Sequence, residues 1–233
     1  MILKNGSDLI QHFLDFIEQT FDELRNGEFK EQFDNFPCEV KLHMLSGTDV
    51  IYYDIFAYRR GHFTRKYIFE ELTKYRYSEY RTLMTARWGF SLNEPDNTLI
   101  LTNLSITIHA SALYRLILDH IADLNTYKNV IRMSIRHEIG HLMDYSRFHG
   151  KHVSEYIRYS GDNKKELDEY YKWIGDNPHV DQDEQLRKYY SIACESTANM
   201  LTGFDVEEYL KMDGKIQNMK LCDIEINAVH EDS

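Results

Sequence analysis

The chain has 233 residues, 42% of them hydrophobic, and a net charge of −11 from 38 acidic against 27 basic residues. Its length fits one lobed domain or two small ones with a normal core, and its negative balance argues against nucleic acid, whose binding rests on neutralising phosphates. No window approaches the ~20 apolar residues that cross a bilayer, and the opening MILKNGSDLIQHF lacks the basic start, apolar core and cleavage site of a signal peptide.

Leu9, Phe13, Ile17, Phe21 and Leu24 recur at helical spacing. They predict an amphipathic helix over 7–25, capped by Ser7 and stopped at Asn26-Gly27. EVKLHML (39–45) and VIYYDIFAY (50–58) alternate around SGTD and predict a hairpin. Residues 64–80 predict a helix, and the basic run RRGHFTRKY (59–67) reads as a solvated turn and helix start. MTARWGF (84–90) and NTLILTNLSITIH (97–109) flank the turn-rich SLNEPD and predict a second strand pair. In the second of these, Leu104, Ile106 and Ile108 alternate with Ser105, Thr107 and His109, which predicts one buried face and one polar face. Helices are predicted at 111–125 and at 126–145. Beyond Tyr145 the chain reads as helical and charged, with breaks near Gly161-Asp162 and from Gly175 to Pro178, then one further helix over 183–204. Strands first and helices later make an α+β domain with segregated layers. Residues 1–80 read as a helix-and-hairpin part of the same domain, and residues 81–233 as the region carrying the chemistry, with a mostly helical C-terminal lobe.

That chemistry is suggested by RHEIGHLMDY, residues 136–145. On a helix, positions i and i+4 share a face with their β-carbons ~5–6 Å apart, so His137 and His141 can bind one ion. Glu138 points about 100° away around the helix, where it can take a proton from an attacking water and deliver it to a leaving amine. An HExxH match arises by accident in roughly 1% of chains of this composition, so its surroundings decide. Ile135, Ile139, Leu142 and Met143 flank it with apolar side chains, and a buried helix with two histidines and a glutamate is costly unless they are paired or metal-bound. Gly140 costs ~1 kcal/mol against alanine inside a helix, which a close packing approach or a functional site would explain. Cys38, Cys194 and Cys222 are odd in number, widely spaced and form no CxxC pair, so they suggest neither a disulfide framework nor a zinc ribbon, and the expected setting is the reducing cytoplasm.

A catalytic zinc needs a third protein ligand and an open position. Glu195, in YYSIACESTANML, is one candidate: it sits among small and apolar residues on a later helix, with Asn199 one turn on to orient a ligand. His149, in RFHGKHV just past the HEIGH helix, is the alternative, and His152 a weaker form of the same idea. Asp144 lies a turn too far for the same ion. It reads either as an acceptor for a ligand histidine's free N–H or as an ordinary polar residue near the helix end.

HEIGH followed by an aspartate, with ESTAN on a late helix, resembles the gluzincin branch of zinc metallopeptidases. The resemblance is to the catalytic domain of anthrax lethal factor and to ImmA/IrrE-type proteases. It implies a zincin-like fold, one Zn2+ per chain held by His137, His141 and Glu195, Glu138 as general base, and Asn199 beside the ligands. It further implies that Tyr189 or Tyr190, shortly before Glu195, stabilises the transition state. The strand at 98–108 would then be the edge strand that binds an extended protein or peptide substrate. SprT-like proteases are a third resemblance, through His149-Gly150, and would make His149 the third ligand. These likenesses cover about residues 84–204, so a cytoplasmic zinc endopeptidase is the expected function. A metal-binding or regulatory module on the same scaffold is the alternative. The acidic charge balance is compatible with a basic peptide substrate.

Overall fold

The computed structural model describes residues 6–46, 51–54, 84–109 and 124–218. The expected helix at 64–80, nearly all of the one at 111–125, hairpin residues 55–58 and the basic run at 59–67 lie outside these residues. The chain enters as α1 (Gly6–Asn26) and a short α2 (Lys30–Asn35), then forms β1 (Val40–Ser46), β2 (Ile51–Asp54), β3 (Met84–Asn93) and β4 (Thr98–His109). Five helices follow: α3 (Leu124–Ser146), α4 (Val153–Asp176), α5 (Gln182–Tyr190), α6 (Ala193–Thr202) and α7 (Val206–Asn218). The class is α+β.

The strands form one sheet of order β2-β1-β4-β3. β1 pairs antiparallel with β2 but parallel with β4, Val40 opposite Leu104 and Leu45 opposite His109. The sheet is therefore mixed, and it joins β1 and β2 to the later strands by backbone hydrogen bonds. β3 and β4 are antiparallel, with a register shift at Gly89/Phe90, whose partners are Asn103 and Leu101. Thr102 is the extra residue on β4. A bulge reverses the alternation of a strand, so Leu99 and Leu101 before it and Leu104, Ile106 and Ile108 after it are all buried.

β4 differs from its expected description in two ways. It is an inner strand, and among the described residues β3 stands at the edge of the sheet. Ser105 and Thr107 are also buried, at 1% and 0% exposure, so the expected polar face is closed at these two positions. A central strand is packed on both faces, and period-two alternation alone does not distinguish buried small hydroxyls from solvated ones.

α3 runs through the middle of the fold. Val130, Ile131, Ile135, Ile139, Leu142 and Tyr145 are buried, and the helix packs on β3, β4, α1, α6 and α7. From α1, Ile17, Phe21 and Leu24 are fully buried, a placement worth about 1.5–3 kcal/mol for each side chain. Ion pairs fasten the same region to α3: Arg132 to Glu23 at 3.3 Å and Arg136 to Glu28 at 2.8 Å.

Two expected boundaries move. α4 runs unbroken through Gly161, because a single glycine weakens a helix by only ~1 kcal/mol. The helix expected over 183–204 is two helices, broken at Ile192, whose ψ of 141° is extended.

Candidate metal centre

α3 carries His137 and His141 one turn apart, and α6 carries Glu195 across from them. Gly140 explains how the two helices come close enough. A β-carbon there would meet the Ala198 carbonyl oxygen at 2.3 Å and its Cα at 2.9 Å, so only glycine lets the backbones touch. Glu195 lies one turn before Ala198 and is delivered to the histidines by this crossing.

Both ends of α6 are held by other helices. Ile192 offers no side-chain cap at its start, and Glu166 of α4 accepts the Ala193 N–H instead, at 2.7 Å. At its end Gly203 adopts a left-handed φ of 63°, and Arg136 Nη2 donates to the Thr202 carbonyl at 2.6 Å. Glu166 and Arg136 carry no sequence signal for these roles, because both act across long stretches of chain.

Glu195 Oε2 lies 3.0 Å from His137 Nε2 and 3.3 Å from His141 Nε2, and the two Nε2 atoms are 3.1 Å apart. Ligand atoms ~2.0–2.1 Å from a tetrahedral zinc are about 3.3 Å from one another. The observed triangle has the dimensions of one face of that tetrahedron, slightly contracted. This buried group can hold a metal ion.

Surrounding contacts orient two of the three ligand atoms. His137 Nδ1–H donates to Asn199 Oδ1 at 2.8 Å, which leaves the Nε2 lone pair for the ion. The Tyr189 hydroxyl donates to Glu195 Oε1 at 2.9 Å, so Oε2 alone faces the histidines. On an unbroken helix, side chains six residues apart project about 240° apart. The break at Ile192 is what turns Tyr189 back onto Glu195. Burial first, then the Glu195 charge, pushes the Tyr189 phenol up, so it stays a donor at neutral pH. Tyr190 meets the site through its ring, edge-on to His137 with centroids 5.4 Å apart. Phe204 packs His137 with centroids 5.1 Å apart.

The other candidates lie elsewhere. His149 Nδ1 accepts the Leu101 N–H at 3.1 Å, in a turn that also bonds Leu99 through Gly150 and Lys151. Gly150, at φ 73°, makes that turn possible and points His149 at β4 instead of the ligands. His152 caps α4 by accepting the Ser154 N–H. Asp144, 1% exposed, takes the Tyr159 hydroxyl and pairs with Arg147 Nε at 3.1 Å. No hydrogen bond joins it to either histidine among the described residues. Burial pushes the Cys194 thiol up to about 12, with Glu195 adding to the shift, so it stays protonated 3.9 Å from Glu195 Oε1.

Glu138 lies on a different side of α3, 8% exposed. Its Oε2 accepts the Ala86 N–H of β3 at 2.5 Å. A backbone donor leaves no trace in a sequence, so this contact, like those of Glu166 and Arg136, has no signal there. No family model, curated protein or solved structure matches the chain.

Without an ion the ligands form a proton-sharing cluster. Burial disfavours charged His141, but the Glu195 hydrogen bond and the Glu195, Glu138 and Asp144 charges outweigh it and raise its pKa above 6.5. Burial likewise opposes the Glu195 carboxylate, yet the two histidine hydrogen bonds hold its pKa well below the usual range. A raised histidine stabilises the fold fully below its unfolded pKa and loses that contribution as pH rises through the folded value; a depressed carboxylate contributes above its unfolded pKa. The metal-free protein is therefore expected to be most stable near pH 5–6 and to lose melting temperature toward pH 8. Added zinc should remove that alkaline loss, since the ion takes the proton's place. Thermal melts across pH, with chelator and with zinc, check this.

Proposed function

We propose that the protein is a zinc-dependent endopeptidase. The observation that carries the reading is the convergence of His137 Nε2, His141 Nε2 and Glu195 Oε2 within 3.0–3.3 Å, beside a glutamate adjacent to the first histidine. Among the described residues three protein ligands converge, with His149 turned away, a set that leaves the fourth position that catalytic sites need and structural sites do not.

Zinc in this site supplies a Lewis acid that polarises a peptide carbonyl and acidifies water. The chain's own residues do the rest. Asn199 holds the His137 tautomer, and Tyr189 keeps Glu195 bound through one oxygen. Glu138 removes a proton from the water whose oxygen attacks the carbonyl carbon. The same carboxyl then gives that proton to the amide nitrogen as the C–N bond breaks, so the base is restored. The oxyanion role is assigned to Tyr189, whose one hydroxyl proton turns from Glu195 Oε1 to the developing charge.

Among the described residues no helix is long and apolar enough to cross a membrane. The proposed substrate is an extended protein or peptide. The test measures bound zinc and hydrolysis of an unfolded protein by the wild type and by Glu138→Gln. One zinc per chain in both, with turnover lowered about 10²–10⁴-fold in the variant, is the expected result. A protein that takes up no stoichiometric metal, or a variant with full activity, sinks the reading.

A further inference from the structure

The Ala86 N–H that Glu138 accepts lies on the side of β3 away from β4. β3 is the terminal strand among the described residues. In an antiparallel pair, a residue's N–H and C=O point together, either toward the partner strand or away from it. Ala86, opposite Ile106, sends its N–H to Glu138, so both its backbone groups face away from β4. By the same alternation those of Trp88 face outward too. This is the edge to which a polypeptide strand adds, and the carboxylate that meets it directly follows the ligand His137 on α3. At Ala86, however, the place of an incoming carbonyl is taken by Glu138 Oε2, and neither residue is open to solvent, at 5% and 8% exposure.

We infer that Glu138 is a removable plug on the docking edge, and that an extended polypeptide lying along β3 at Ala86 displaces it and so frees the carboxylate to act as base. The inference rests on the peptidase reading for the purpose of the displacement, but the competition itself is a property of two groups on this chain. A strand that bonds Ala86 must break the Glu138 contact, and a Glu138 that bonds Ala86 must weaken strand binding by the same factor. The resting enzyme therefore keeps its base away from water until backbone pairing has begun. Trp88, two residues along, lies flat on Tyr145 with ring centroids 3.3 Å apart and donates its Nε1–H to Tyr156 at 3.2 Å. That gives the docked strand a rigid aromatic floor beyond Ala86.

The test compares zinc-loaded Glu138→Gln with zinc-loaded Glu138→Ala. Both are uncharged and both lack the base, so neither consumes the probe; only the glutamine keeps an acceptor for Ala86. The probe is reduced, alkylated lysozyme, an unfolded basic chain, at physiological ionic strength. Glu138→Ala should bind it about tenfold more tightly, the loss of one competing buried hydrogen bond. Adding Ala86→Pro, which deletes the N–H and is tolerated at a sheet edge, should abolish the gain. Hydrogen exchange at Ala86 gives a second readout: slow in Glu138→Gln, fast in Glu138→Ala, slow again when the probe is bound. Equal affinities, no binding by either variant, or an Ala86 amide still protected in free Glu138→Ala each overturn the plug. If the wild type hydrolyses nothing yet the affinity difference stands, it is the peptidase reading that falls.

Discussion

Replacing Gly140 by alanine is expected to weaken zinc binding at least about a hundredfold and to destabilise the protein by about 3 kcal/mol. The added methyl group meets the Ala198 carbonyl oxygen at 2.3 Å, and contact distances near ~3.5 Å require the two backbones to part by about 1 Å. Neither atom can turn aside, because one is a Cβ fixed by a helix and the other a helix carbonyl. α6 is also held by Glu166 and Arg136, so it cannot simply slide. A 1 Å retreat takes Glu195 Oε2 out of bonding range of an ion held by the histidines at ~2.0–2.1 Å. Calorimetric zinc titration and thermal unfolding of Gly140→Ala measure the two losses. Wild-type values for both would show that the crossing relaxes freely and that Gly140 does not set the site.

The second large effect separates ligands from bystanders. Glu195→Ala should lower zinc affinity by at least about a thousandfold, roughly 4 kcal/mol. It removes a bonded carboxylate and leaves two buried histidines without their anionic partner. Asn199→Ala should cost about 10–100-fold, the usual range for a group that only fixes a ligand's tautomer. His149→Ala should leave affinity unchanged, because its ring serves Leu101 N–H across the sheet. Competition titrations against a chelating dye rank the three. An order with His149 above Glu195 would overturn the ligand set proposed here.

Much of this arrangement was legible from spacing. α1 and α3 were visible because a 3.6-residue apolar repeat and a stop signal at Asn26-Gly27 leave few alternatives. β3 and β4 were visible as β-rich runs around a turn. Gly140 stood out as a glycine in a helix interior, and the Ala198 contact is its reason. What stayed hidden depends on groups far apart in the chain. The parallel pairing of β1 with β4 has no local signature. The bulge at Thr102, by shifting the phase, made β4 look like a simple alternating strand only over its second half. The break at Ile192 was masked because SIACESTANML is a sound helix-forming stretch on both sides of it. Ala86 contributes a backbone amide, and no residue type advertises that.

The two halves of the ion site lie 58 residues apart, with α4 and α5 between them. That separation orders events in time. When α3 has emerged from the ribosome, a chain growing at about 5–20 residues per second still lacks its third donor and the tyrosine that orients it. Two histidines on a lone helix hold zinc weakly. The site becomes competent only after α6 has docked at Gly140, a long-range closure that belongs to the slow part of folding. A nascent or half-folded chain therefore carries the HEIGH helix in an inert form. The distance between α3 and α6 in sequence delays completion of the candidate ion site until α6 is in place.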